Sequence, residues 1–447
     1  MHRLIARFAD VRAGEVAALL WSFAYFFFLL GGYYVLRPLR DAMGIEGGVK
    51  NLQWLFTATF VAMAVAVPLF GAVVARAERR RIVPVCYRFF LANILIFFAL
   101  LKIEFHTVHV ARVFFVWVSV YNLFVVSVFW SVMADVFDND QGKRLFGFIA
   151  AGGTAGALLG PAATALLAVP LGPVNLLLVA ALCLEIAAQC AKRVLRGARS
   201  GDAREATRDD RIGGSILAGA VAVARSPYLL AICAYILFLT LTATVLYFQQ
   251  AAIVANAFAT AAERTRAFAT IDLAVGLLTL LIQATATGPF IRRFGVGWAL
   301  ALLPLVTAAG FLILGLWPTL VVVVGFQAIR RAANFAISKP AREILFTLVP
   351  REDKYKAKNL IDTLVYRGGD AAAGWAYAAV AATGIALSGI AFLALPAALV
   401  WLALAFAMGR GHDRRAARRA HDRPVEGLSA APTDAIVPPG PRTDESP

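Results

Sequence analysis

Charge is scarce in this chain of 447 residues: Asp, Glu, Lys and Arg make up 16% of it, against about a quarter in soluble proteins. Beside 60% hydrophobic residues and a mean hydropathy of +0.74, that shortage excludes an ordinary soluble domain and indicates a polytopic membrane protein. Cysteine is rare too. Cys86, Cys183, Cys190 and Cys233 fall within or at the ends of apolar runs and form no C-x-x-C pair, which argues against a disulfide framework or a metal site. No Ser-His-Asp, Cys-His or H-E-x-x-H arrangement occurs, and the five histidines lie in loops or tails. No enzyme, cofactor or metal is therefore expected. The first apolar run lacks a small-residue cleavage site and is too long for a signal-peptide core, so it reads as a retained helix.

What the chain has is length of apolar sequence. A helix needs roughly 20 apolar residues to cross the hydrocarbon. Twelve runs qualify: about 15–36, 51–75, 83–101, 108–133, 146–168, 173–190, 228–255, 267–290, 297–316, 318–338, 359–383 and 386–408. Tight connections such as Pro170-Leu-Gly-Pro173, Trp317-Pro318 and Thr383-Gly384 mark helix hairpins. The widest polar gap divides the runs six and six. The expected organisation is a half over 1–190, a basic linker over 191–227, a second half over 228–408 and a basic tail over 409–447, disordered beyond Arg423.

The formal net charge of +16 is spread between apolar runs rather than gathered on one soluble face, which argues against a nucleic-acid partner. It sets orientation instead. With the N-terminus inside, 32 Lys and Arg residues fall in cytoplasmic segments and six in the opposite loops. Both termini are expected in the cytoplasm, in a bacterial-type inner membrane, with the basic tail against anionic lipid.

Five basic residues lie within the runs: Arg88, Arg112, Arg330, Arg331 and Arg367. Arg88 and Arg112 sit near run ends and can snorkel. The other three are too deep, and a guanidinium keeps its charge, so each needs water, a partner or a substrate. Gln327, Arg331, Asn334 and Ser338, spaced 4, 3 and 4, form one stripe beside Arg330. Arg367 and Asp370, three apart, can pair. Interhelical pairing competes with substrate contact here, and contact is favoured. Arg330, Arg331, Arg367 and Asp370 carry a formal charge of +2, which suits a carboxylate or phosphate gripped by guanidinium.

Further candidates are weaker. Arg37-Pro-Leu-Arg40-Asp41 is read as ending the first helix on the outer side, after Tyr33 and Tyr34, as interface anchor or substrate contact. Tyr121, Asn122, Gln249, Gln250 and Gln283 are candidate cavity walls. Asp272 and Glu185 lie near run ends and read as interfacial, with proton coupling open for Asp272. Lys339, Arg342, Glu343 and Asp362 are candidate inner-gate residues. Gly152, Gly156 and Gly160 line one helix face and lack the Lys-Ser/Thr of a phosphate loop, so they serve close packing.

An internal repeat joins the halves. Lys143-Arg144 and Lys358 each open a helix, placing Gly147, Gly152 and Ala155 opposite Asp362, Arg367 and Asp370. Two related six-helix halves predict an all-α membrane fold of the major facilitator type, built of twelve transmembrane helices.

Four blocks also resemble the ATP:ADP antiporter (nucleotide transporter) family: Tyr33-Tyr-Val-Leu-Arg37-Pro-Leu-Arg40-Asp41, Phe129-Trp130 with Lys143-Arg144-Leu-Phe-Gly, Pro340-Ala-Arg342-Glu343, and Lys356-Ala-Lys358-Asn-Leu-Ile-Asp362. Their order and spacing are kept across about 330 residues. The resemblance implies nucleotide exchange through a basic central cavity, with Arg40 in the place of a transport-linked lysine. Departures are marked: Asp370 stands where the family has lysine, Asn334 replaces another lysine, and no acid lies near Val118 where the family has glutamate. The expected function is alternating-access transport of an organic anion, a nucleotide or another phosphorylated metabolite, by a monomer in contact with membrane lipids. The alternatives are a carrier of non-nucleotide solutes, such as peptidoglycan fragments or drugs, and a non-transporting scaffold.

Overall fold

The computed structural model describes residues 11–76, 79–197, 221, 223–349, 357, 358 and 360–421. Twelve helical rods cross the molecule. The first six are α1 (Val16–Glu46), α2 (Leu52–Arg76), α3 (Arg79–Lys102), α4 (Thr107–Val136), α5 (Asn139–Leu167) and α6 (Leu176–Gly197). Then come α7 (Pro227–Ala257), α8 (Ala261–Thr285), α9 (Thr287–Leu316), α10, α11 and α12 (Leu387–His421). α10 runs Leu320–Ala333, passes through a π-helical turn at Asn334–Ser338 and continues over Lys339–Leu345. α11 begins with a second π turn, Ile361–Val365, followed by Tyr366–Ala382.

Local chemistry sets several starts. Asp138 and Gln141 form a capping box at α5, Thr260 and Glu263 at α8, and Ser226 caps α7 ahead of Pro227. Gly172 and Gly384 take φ of 78° and 81° in two of the expected hairpins, a region open to glycine at little cost. Ten of the described helices are long and apolar enough to span a membrane. α6 and α11 fall outside that set; α6 carries Glu185, Lys192, Arg193 and Arg196, and the α-helical part of α11 is 17 residues long and carries Arg367 and Asp370. The protein is an integral membrane protein.

Several boundaries differ from the sequence reading. α1 does not stop at Arg37 but continues through Pro38 to Glu46. A mid-helix proline costs about 3 kcal/mol; burial of Leu39, Ala42, Met43 and Ile45 beyond it outweighs that. α8 starts six residues before the expected 267, at its capping box. Gly295 breaks α9 with φ of 78°, so Thr287–Phe294 is a separate turn leading into the span. The helical tail of α12 also runs past 408, to His421. The charged centre of the linker and the end of the tail lie outside the described residues.

Each half has its own core. One apolar cluster is drawn from 11–194, around Tyr25, Phe114 and Phe129; others belong to 223–408, around Tyr235, Phe311 and Trp401. The packing repeats between halves: α5 packs on α1 and α8, and α11 on α7 and α2. The first helix of each half, and the second helix of the other, exchange roles.

The halves meet mainly away from the face that carries the start of α1 and the end of α12, here the terminal face. A shared cluster joins Ala42, Ile45 and Leu52 to Phe248, Ala251 and Phe268. Beside it Arg264 pairs with Glu46 at 2.8 Å, Tyr247 donates to Asp41 at 2.9 Å, and Trp375 donates to Thr57 at 3.0 Å while its ring meets Trp54 edge-on. The opposite face is closed.

Candidate functional site

A cavity of about 290 Å³ lies between the halves, walled by α1, α2, α7, α8, α10 and α11. Five guanidinium groups (Arg37, Arg40, Arg330, Arg331, Arg367) and three carboxylates (Asp41, Asp272, Asp370) line it. The formal excess is two positive charges, reached with a larger set of residues than the sequence suggested. Asn334, Gln327 and Gln250 share the wall with Tyr33, Tyr247 and Tyr366.

The arginines are not equivalent. Arg331 Nη1 donates to Asp272 Oδ1 at 2.7 Å, and Arg37 Nε lies 3.6 Å from Asp272 Oδ2. Arg330, only 3% exposed, turns the other way: one terminal nitrogen donates to Leu239 O and Thr242 Oγ1, each at 3.1 Å, and its Nε has no partner. Among the described residues no carboxylate lies within ion-pair reach of Arg330. Arg40 sits over the Phe115 ring at 4.1 Å, is 3.9 Å from Asp41, and keeps its Nε unpartnered. Arg367 meets Asp370 loosely, at 3.7 Å, and Thr244 donates to the same carboxylate at 3.3 Å. Arg37, Arg40, Arg330 and Arg367 thus retain donor capacity toward the cavity, whereas Arg331 holds Asp272 in a close ion pair that Arg37 shares only at longer range.

The expected stripe on α10 breaks up. Adjacent helical residues point about 100° apart, so Arg330 and Arg331 diverge toward α7 and α8. The π turn widens the helix beyond Ala333, and Ser338 turns inward to Tyr235, 3.0 Å away, rather than to the cavity. Gln327 donates to Gln250 at 2.5 Å, and Asn334 Oδ1 accepts from Arg342 at 3.4 Å.

The π turn in α11 also revises the repeat. It adds one residue, so beyond Val365 the equivalents shift by one: Gly369 matches Gly153 and Asp370 matches Thr154. The contacts agree. A Cβ on Gly153 would strike Phe26, the eleventh residue of α1; one on Gly369 would come within 3.2 Å of Leu237, the eleventh of α7.

Asp272 is the residue that sequence reasoning misplaced. Eleven residues past the true start of α8, it is 5% exposed and central, not interfacial. The Thr260-x-x-Glu263 capping box was the available signal. Arg37 and Arg40 move inward for the same kind of reason, because α1 continues past them; both line the central cavity.

A second cavity of about 650 Å³ adjoins the first and shares Arg37, Asp272, Arg331 and Phe335 with it. From there its lining steps toward the terminal face along α5, α8 and α10, ending at Gln283, Lys339 and Glu343. Glu343 is paired with Lys358 at 2.7 Å. Asp362 is a gate candidate whose side chain lies outside the described residues. Of the weaker candidates, Tyr34 lines this second cavity, while Tyr121 is wholly buried beside Trp117 and Gln249 donates to Leu387 O. Arg88 pairs with Glu185 at 3.0 Å, and Arg112 donates to Gly47 O at 2.9 Å. Gly152, Gly156 and Gly160 do face α1; a Cβ on Gly160 would come within 2.7 Å of Gly31 O.

No family model matches the sequence, and no curated protein matches it. Solved structures do match in fold. A bacterial homologue of the human lysosomal transporter Spinster, inward-facing and unoccupied, aligns with a TM-score of 0.57 at 13% identity, covering 91% of this chain and 99% of its own. The nucleoside transporter NupG gives 0.59 at 13% identity, over 90% and 100%. A POT family transporter in complex with 5-aminolevulinic acid gives 0.64 at 11% identity, over 88% and 96%. The fold is that of major facilitator-type transporters: twelve helices in two pseudo-symmetric bundles. At these identities the likeness is one of fold.

Proposed function

We propose that the protein is a secondary transporter that carries an organic anion by rocking two six-helix halves, 1–190 and 228–408, about the central cavity. The observation that carries this reading is the excess of guanidinium in a cavity between the halves, with Arg40, Arg330 and Arg367 incompletely satisfied. Such groups at bilayer depth grip carboxylate or phosphate bidentately. Asn334, Gln327 and Tyr366 orient the substrate, Lys339 and Glu343 line the way to the terminal face, and Arg342 and Asp362 are further gate candidates. The distribution of Lys and Arg supports a cytoplasmic location for that face, in a bacterial-type inner membrane, and the chain works as a monomer in this reading.

Within that class, a nucleotide or other phosphorylated metabolite fits the antiporter-like motifs, and NupG is a nucleoside transporter of the same fold. The acid at Asp370, where those motifs have lysine, favours a substrate less charged than ATP. The chemistry is binding and translocation, without a catalytic set. A thermal-shift screen of purified protein against nucleotides, sugar phosphates and carboxylates tests the reading, since a ligand at 100 times its Kd adds about 2.7 kcal/mol of stability. One anion class is expected to raise Tm, and Arg330→Met to abolish that rise. Indifference to every anion would overturn the proposal.

A further inference from the structure

Two cavities that together run from the molecular centre toward the terminal face are separated by very little. The four residues common to both are Arg37 on α1, Asp272 on α8, and Arg331 and Phe335 on α10. Three of these form one ionic unit. Asp272 takes Arg331 at 2.7 Å within its own half and faces Arg37 at 3.6 Å across the boundary between halves. Its side chain is 3% exposed, so water does little to screen the contact. Phe335 lines both cavities beside them.

We propose that this bridge is a gate, and that Asp272 is its latch: an internal anion that holds Arg37 and Arg331 together and keeps the central cavity shut off from the larger one. The inference rests on the transport reading for its purpose but not for its geometry. Three features set this bridge apart from ordinary interhelical pairing. It lies on the partition itself, it crosses between the halves, and the cross-half contact is the longer one. The weaker arm is therefore the one that parts first, with Asp272 remaining on Arg331. Once it parts, Arg37 is released toward the cavity with a free guanidinium. The gate also explains why two of the five cavity arginines face the same carboxylate of the protein. They are held in reserve by a carboxylate of the protein rather than offered to an anion directly. Asp272 is a positioning residue here, acting through Arg37 and Arg331.

The test reads access, not transport. In a cysteine-free background, Ala243→Cys places a thiol on the wall of the central cavity, away from the larger one. Its rate of modification by the membrane-impermeant anion 2-sulfonatoethyl methanethiosulfonate is measured from the terminal face in reconstituted vesicles. Asp272→Asn is expected to raise the rate about tenfold, the size of effect from losing one close charge pair. Asp272→Glu, which keeps the latch, is expected to label at the parent rate. Arg37→Gln removes only the cross-half arm and is expected to label as fast as Asp272→Asn; it carries the test if Asp272→Asn does not fold. An unchanged rate in Arg37→Gln, or equal acceleration by Asp272→Glu and Asp272→Asn, would overturn the gate. Because no substrate is added, those outcomes leave the anion-transport reading standing, and a failed anion screen leaves them readable.

Discussion

At the scale of single residues, the neighbours of Arg330 and Arg331 matter more than their adjacency. Arg331 is one arm of a buried ion pair, and Arg330 is solvated by a carbonyl and a hydroxyl of α7. Breaking a buried pair by removing one partner costs about 3–5 kcal/mol. Losing hydrogen bonds to neutral acceptors costs about 1–3 kcal/mol. Arg331→Met is therefore expected to lower Tm more than Arg330→Met, while Arg330→Met has the larger effect on anion-induced stabilisation. Paired thermal denaturation curves with and without ligand check both orders. The reverse order of Tm would mean that the two side chains had exchanged roles. The sequence marked both arginines as deep and in need of partners. It did not reveal which carboxylate answers which arginine, because Arg331 and Asp272 are 59 positions apart and Arg37 and Asp272 are 235 apart.

At the scale of elements, the molecule depends on how closely helices approach. α5 lies against α1 through glycines: a Cβ at Gly156 would strike the Phe27 carbonyl and come within 2.9 Å of Gly31 N. Backbone cannot yield as a flexible side chain can. Gly156→Val is expected to destabilise by about 1–3 kcal/mol or more through overpacking, visible as a lowered Tm and loss of monodisperse protein in detergent. Gly147→Val is the control, since a Cβ there meets nothing within 4 Å. Retention of wild-type Tm by Gly156→Val would contradict the contact. The glycine face was legible from a four-residue spacing. The π turns in α10 and α11 were not, because an extra residue in a helical turn changes register without changing composition. They decide that Ser338 leaves the cavity and that Asp370 matches Thr154 rather than Ala155.

At the scale of the whole molecule, the two halves touch at the opposite face and part toward the terminal one. That asymmetry is testable by locking it. The Cβ of a residue at 374 would lie 3.6 Å from Gln53 Cβ, inside the span of about 3.5–4.5 Å that a disulfide bridges. Gln53→Cys with Gly374→Cys, in a background without the native cysteines, is expected to cross-link under mild oxidation. Uptake of the anion found in the binding screen should fall with cross-linking and return on reduction. Mass spectrometry of the intact chain reads the first outcome and vesicle uptake the second. Free thiols after oxidation would show that the opposite face is not closed in this way.

Sequence alone determined the medium, the number of rods and the division into halves, because apolar length and charge placement are summed along the chain and need no partner. It also marked the guanidinium-rich character of the centre, since a permanent charge within an apolar run is conspicuous wherever it folds. Only the tertiary structure decided which charges meet. Arg37, Asp272 and Arg331 come from three helices of both halves, and an ion pair depends on distance in space, which the order of residues does not encode. The same holds for the two cavities and the thin partition between them. They are shapes left by helices that cross and diverge, and they exist only once the twelve rods are packed.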